Sequence, residues 1–119
     1  MGNTILLADD AQVIRLMLNR ILVDAGYTVV GEAANGQQAV ELYRQLHPDL
    51  VIMDITMPEM NGIEAVKAIR ADDPKAKIII CSAMGQKAYV VEAITAGAKN
   101  FILKPFDADK ILETVQVVI

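Results

Sequence analysis

Residues 50–54 read Leu50-Val51-Ile52-Met53-Asp54, an unbroken aliphatic run that closes on a carboxylate. A strand with one wet face would alternate apolar and polar residues. This one does not, so both its faces must be covered, as in a parallel sheet packed between helices. Outward from it lie four more short runs: Thr4–Ala8 and Thr28–Ala33 before, Ile78–Ser82 and Asn100–Leu103 after. Thr4–Ala8 and Ile78–Ser82 are nearly as unbroken as the central one. Thr28–Ala33 is interrupted by Gly31 and Glu32, which suits a sheet edge.

Helical patterns fill the gaps. Val13, Ile14, Met17, Leu18, Ile21 and Leu22 recur at the spacing of one helix face, with Gly26 as a stop. Asn35 precedes Gln37–Leu46 as an N-cap, and Pro48 lies just past that segment. Asn61 is placed to cap Ile63–Arg70, with Pro74 beyond. Val90, Val91 and Ile94 fall on the next helix, closed by Gly97. Asp107 opens the last, with Ile111, Leu112, Val115 and Val118 on one side. Five strand–helix units with short connections predict a doubly wound α/β domain with right-handed crossovers, one domain over residues 1–119. No linker, low-complexity segment or repeat interrupts the rhythm. The apolar end Gln116–Ile119 carries no polar cap, which raises the expectation of a trimmed or engineered chain.

Composition narrows the function. The 119 residues suffice for a core without staples, and the single cysteine excludes an internal disulfide and suits a reducing compartment. Fifteen acidic against eleven basic residues give a net charge of −4, which argues against nucleic-acid and anionic-membrane partners. No apolar run approaches the ~20 residues that span a bilayer. The start, Met1-Gly2-Asn3-Thr4-Ile5-Leu6, lacks a signal peptide's basic region, and Leu6 spoils a myristoylation match. A cytoplasmic protein is expected.

In open α/β sheets ligands bind beyond the carboxyl ends of the strands. Here the first strand ends in Asp9-Asp10, the third in Asp54, the fourth in Ser82 and the fifth in Lys104-Pro105. Crowded carboxylates repel one another unless a cation intervenes, and Mg²⁺ is content with one or two of them plus waters. An ammonium and a hydroxyl around a metal-bound carboxylate can stabilise a phosphoryl group in transfer. A general base is lacking, since the only histidine, His47, falls by Pro48 at the other end of the sheet. A carboxylate nucleophile taking phosphate from an activated donor fits better than hydrolysis of an unactivated ester. Singly each feature is bland: an Asp pair is usually a solvated turn, Lys-Pro a loop, Ser82 uninformative. The signal is all four at strand carboxyl ends.

At these residues the chain resembles the response-regulator receiver family. The resemblance rests on Asp9-Asp10, on Asp54-Ile55-Thr56-Met57-Pro58-Glu59-Met60-Asn61-Gly62, on Ser82-Ala83 and on Lys104-Pro105-Phe106, and it covers the whole chain. It is nearest to the single-domain chemotaxis members of thermophile and Gram-positive type. The resemblance implies a flavodoxin-like fold with strand order 2-1-3-4-5 and a switch, not a turnover enzyme, phosphorylated on Asp54 by a histidine kinase. It implies Mg²⁺ held by Asp10, Asp54 and the Thr56 backbone carbonyl, with Asp9 acting through water. Ser82 and Lys104 would contact the phosphoryl oxygens, Lys104-Pro105 would be cis, and Gly62 would allow the turn after the phosphoacceptor loop. Ser82 and Phe101 would carry the switch to a face made by the fourth helix, fifth strand and fifth helix. Thr56 and Met84 would tune phosphoryl lifetime. The implied output partner is a flagellar motor switch protein, with a phosphatase as a further partner and the chain itself a monomer. An excised receiver of a DNA-binding regulator, a phosphorelay intermediate and an engineered receiver-like protein are the alternatives.

Two other readings compete. Haloacid-dehalogenase-type phosphohydrolases also use a strand-end Asp, but need a second Asp where Thr56 stands. Gly31-Glu32-Ala33-Ala34-Asn35-Gly36 mimics P-loop glycine spacing but continues as Gln37-Gln38 instead of Lys and Ser/Thr. Cys81 has no histidine beside it and is expected in the core.

Overall fold

The computed structural model describes residues 3–119. The Met1-Gly2 start, read above against myristoylation, lies outside them. The strands are β1 (Thr4–Ala8), β2 (Thr28–Ala33), β3 (Leu50–Asp54), β4 (Ile78–Ser82) and β5 (Asn100–Leu103). The helices are α1 (Gln12–Asp24), α2 (Gly36–Leu46), α3 (Gly62–Asp72), α4 (Lys87–Ala96) and α5 (Ala108–Val118). All strand pairs are parallel, in the order β2-β1-β3-β4-β5. This is the flavodoxin-like (βα)5 arrangement, with β2 at an edge as its Gly31-Glu32 interruption implied. The β1–β2 register slips between Ile5 and Leu6.

Period-two geometry sends alternate strand residues to opposite layers. Leu6, Val51, Met53, Ile78 and Ile80 pack against α2, α3 and α4. Ile5, Leu7, Leu50, Ile52, Ile79 and Cys81 pack against α1 and α5. Every residue of β3 and β4 is buried. At ~1.5–3 kcal/mol per fully buried Ile or Leu, these central strands contribute strongly to stability and give a firm base for what lies at their ends.

The starts of α2, α3 and α5 follow from their caps. The Asn35 side chain accepts from the Gln38 N–H at 2.8 Å, and Asp107 from the Lys110 N–H at 2.7 Å. Asn61 and Glu64 form a reciprocal capping box at the start of α3. That helix runs two residues beyond the expected Arg70, to Asp72. Helix α1 stops at Asp24, before Gly26 with its positive φ of 95°. The α1 face needs correcting. Leu18 and Leu22 are buried and Ile14 and Ile21 pack beside them, but Val13 is 70% exposed and Met17 37%. At 100° per residue the stripe through 14, 18, 21 and 22 faces the sheet, which turns Val13 and Met17 onto its rim. In α5, Ile111 and Val115 are buried with Leu112 and Val118 against them, as the pattern required.

At the amino edge of the sheet Thr4 and Asp49 clasp each other. One Asp49 carboxylate oxygen accepts from the Thr4 N–H at 3.0 Å and from its hydroxyl at 2.7 Å. These bonds hold the Asp49 carboxyl below the usual carboxylate range. Among the described residues, no helix is long and apolar enough to cross a membrane.

Candidate functional site

The sheet ladder continues one residue past three strand ends. Asp9 N–H donates to the Ala33 carbonyl at 3.0 Å, Ile55 N–H to Cys81 at 3.1 Å, and Lys104 N–H to Ser82 at 2.8 Å. Backbone pairing thus fixes where the polar side chains begin. Asp9, Asp10 and Asp54 each offer a carboxylate oxygen, and these oxygens lie within 4.8 Å of one another. Asp9 and Asp54 are buried while Asp10 is exposed. Lys104 Nζ lies 3.1 Å from Asp54 Oδ1 and 3.4 Å from Asp9 Oδ2. The other Asp9 oxygen accepts from the Ala11 N–H at 2.9 Å.

Burial pushes the Asp54 carboxyl above its ordinary range and the Asp9 charge adds to this, with Lys104 opposing. Burial pulls the Lys104 ammonium down, but the charge and hydrogen bond of Asp54, joined by Asp9, outweigh it and leave it raised. Ser82 Oγ is buried with no hydrogen-bond partner among the described residues. An orphaned buried hydroxyl costs about 1–3 kcal/mol, so its retention at the edge of a charged pocket points to a polar ligand. The three hard oxygen donors, one open to water, also fit a small divalent cation.

The loop after Asp54 is shaped by close approach. The Gly62 N–H donates to the Ile55 carbonyl at 2.7 Å, and a Cβ there would lie 2.3 Å from the Asp54 carbonyl oxygen. Gly62 therefore makes room for the backbone of β3 itself, a reason beyond the expected turn. Gly36 packs likewise, its N–H on the Met60 carbonyl at 2.8 Å. The P-loop-like spacing thus has a packing cause. Lys104-Pro105 is cis, as the resemblance implied.

Phe101, 40% exposed, shares with Ser82, Val90 and Leu103 the walls of a cavity of about 350 Å³ between α4 and β5. Met84 is 84% exposed and Thr56 is also on the surface. His47 closes α2 at the opposite edge, and Cys81 is core, its thiol pushed up by burial. Two residues escaped sequence reading. Arg15 donates to the Asp9 carbonyl and pairs with Glu32 at 3.0 Å, which no local pattern announces. Gln86 bridges Ala83 and Thr56, and its signal was a long amide at a helix N-cap position.

The described residues form an open parallel sheet whose carboxyl edge gathers acid, ammonium and hydroxyl, with no glycine cradle for a nucleotide among them, the arrangement expected of a receiver domain. The sequence agrees: the chain belongs to the response regulator receiver domain family, whose model matches residues 5–116. It is 58% identical to the chemotaxis protein CheY of Thermotoga maritima, over 99% of this chain and 98% of that one. Identity to CheY of Bacillus subtilis is 57%, covering 97% of this chain and 96% of that one. Among solved structures, the CheX-CheY-BeF3-Mg²⁺ complex from Borrelia burgdorferi superposes with a TM-score of 0.92 at 35% identity, over 96% of this chain and 87% of that one. A receiver of this CheY-like type signals through phosphorylation in two-component systems.

Proposed function

We propose that Asp54 is the phosphoacceptor of a chemotaxis switch, phosphorylated by a histidine kinase in a Mg²⁺-dependent reaction. The observation that carries this is the placement of Asp54, a buried carboxylate paired to Lys104 at 3.1 Å, with the unpartnered hydroxyl of Ser82 one position past its strand partner Cys81. An Asp54 oxygen attacks phosphorus and forms the acyl–phosphate bond. The phosphorus–nitrogen bond of the donor breaks, and its electron pair leaves with the imidazole. Lys104 passes from the carboxylate to a phosphoryl oxygen, and the Ser82 hydroxyl donates to another. Asp10, Asp54 and the Thr56 carbonyl would hold the Mg²⁺, with Asp9 acting through water. Bound there, the ion supplies positive charge for the phosphoryl oxygens.

The reaction is self-modification, and the chain is not a turnover enzyme, because Thr56 offers no acid or base two residues past Asp54. Ser82 moves toward the phosphoryl group, Phe101 turns into the space between α4 and β5, and the α4-β5-α5 face changes affinity for a flagellar-switch-type partner. Such a shift extends only as far as the phosphoryl group's differential contacts in the two states. Thr56 and Met84 flank the approach of a hydrolytic water and tune phosphoryl lifetime, with or without a phosphatase. The chemotaxis assignment is supported by relatives matched over nearly their full length, both named CheY. The chain acts in the cytoplasm, as a monomer.

Intact-mass spectrometry after incubation with acetyl phosphate tests the chemistry. One added phosphoryl group is expected, dependent on Mg²⁺ and absent in Asp54→Asn. Stoichiometric, persistent labelling of that variant would move the nucleophile elsewhere.

A further inference from the structure

We propose that Gln86 is a positioning residue: its side chain straps the loop after β4 to the loop after β3 and holds the pocket in its resting arrangement. The inference rests on Asp54 being the phosphoacceptor and adds a restraint on when it reacts.

Gln86 occupies the N-cap position of α4, where Ser, Thr, Asn or Asp is preferred by ~1 kcal/mol. Asn35, Asn61 and Asp107 all cap their helices, whereas Gln86 makes no cap bond. Lys87 then places a cation in the first turn, at the positive end of the helix dipole. Helix α4 thus starts without the side-chain cap that α2, α3 and α5 receive, and the side chain at its cap position is engaged elsewhere.

Its engagement is complementary at both ends. Ala83 N–H donates to Gln86 Oε1 at 2.7 Å, and Gln86 Nε2 donates to Thr56 Oγ1 at 3.0 Å. A backbone N–H can only donate, so the amide orientation is fixed by the network. A carboxylate lacks the donor, and a serine or asparagine lacks the reach.

The anchor points give the strap its consequence. Ala83 directly follows Ser82, whose buried hydroxyl has no partner, and Thr56 stands two residues past Asp54. Movement of Ser82 toward a group on Asp54 carries Ala83 with it. Gly85, at φ +86° with open space around it, lets the loop follow. Gln86 tethers Ala83 against that movement, so the bridge favours the resting state. The tether acts through the loop and touches no reacting atom.

The test is Gln86→Ser, which can cap α4 but cannot span to Thr56. In the metal-free, unphosphorylated protein, exchange of the Ala83 amide hydrogen should rise about fivefold, the factor one net hydrogen bond represents. Labelling by phosphoramidate with Mg²⁺ should accelerate by a similar factor, with no loss of thermal midpoint. A purely structural role predicts a lower midpoint instead. In a Thr56→Val background the Ser substitution should change the rate by less than about twofold, and in Thr56→Ser by its full amount. Equal Ala83 exchange in wild type and Gln86→Ser, or an effect undiminished by Thr56→Val, would overturn the strap. A wild-type protein that takes no label would overturn the phosphoacceptor reading, and the strap would then be decided by Ala83 exchange alone.

Discussion

Lys104 Nζ stands 3.1 Å from Asp54 Oδ1, so the ammonium that the proposed reaction needs for a phosphoryl oxygen is already engaged with the proposed nucleophile. The same nitrogen reaches Asp9 at 3.4 Å and offsets the repulsion between two buried carboxylates. Lys104→Ala should therefore lower the urea stability of the metal-free protein at neutral pH by about 1–3 kcal/mol. Mg²⁺ binding should survive, and Mg²⁺ should raise the variant's midpoint more than the wild type's. Equal midpoints without metal would show that Lys104 compensates nothing in the resting state.

Removing the charge of Asp54 should do the reverse. The folded-state pKa of Asp54 is raised above its unfolded value, by burial first and by Asp9 second. Above the folded value the ionised side chain therefore burdens the native state. Asp54→Asn should raise the thermal midpoint of the metal-free protein at pH 7. The difference should shrink as pH falls from the folded pKa to the ordinary carboxylate range, where Asp54 is neutral in both states. A midpoint lowered at pH 7 would mean that the Lys104 pairing outweighs the desolvation.

Two glycines separate steric from conformational demand. A Cβ at Gly62 would meet the Asp54 carbonyl oxygen at 2.3 Å, whereas one at Gly26, with φ +95°, would meet nothing within 4 Å. Gly62→Ala should cost about 3 kcal/mol by urea denaturation and slow phosphoryl labelling, because relief of the clash must shift the Asp54 backbone. Gly26→Ala should cost about 1–2 kcal/mol, from the backbone conformation alone, and leave labelling unchanged.

The fold was legible because its strongest signals are short-range. Runs such as Leu50–Asp54 and Ile78–Ser82 are uniformly apolar because both faces are covered, and Asn35, Asn61 and Asp107 are caps readable one residue at a time. Strand order was not, since nothing in a strand names its neighbour; it came from family resemblance. The exposure of Val13 and Met17 was hidden because an apolar stripe wider than the packed face looks the same in sequence. The pocket was legible as residue types at strand ends. Its wiring was not: the Gln86 bridge spans thirty positions and the Lys104–Asp9 contact ninety-five.

The Thr4–Asp49 clasp predicts an acid-dependent contribution to stability. Hydrogen bonds from the Thr4 N–H and hydroxyl hold the folded Asp49 pKa below its unfolded value. That stabilisation is complete above the unfolded pKa and is lost as pH falls through the folded one. Asp49→Asn should cost about 1 kcal/mol at pH 7, since the pair is only partly buried. In acid the wild type should approach the variant. Parallel stability curves down to low pH would show that the carboxylate's charge is irrelevant to the clasp.

Phe101 gives the switch its most direct optical test. The ring is 40% exposed beside a cavity of about 350 Å³ that Ser82, Val90 and Leu103 also line, so space exists for the inward turn. The chain has no tryptophan, and Phe101→Trp therefore introduces a single indole. Its emission should move to shorter wavelength when phosphoramidate and Mg²⁺ are added together, as the ring leaves water for apolar walls. Mg²⁺ alone should leave the emission in place, because in the proposed switch the turn follows Ser82 and Ser82 follows the phosphoryl group. The same indole in an Asp54→Asn background should not respond. A shift produced by Mg²⁺ alone would place the trigger in the acidic cluster, and no shift in a stoichiometrically labelled protein would uncouple Phe101 from the pocket.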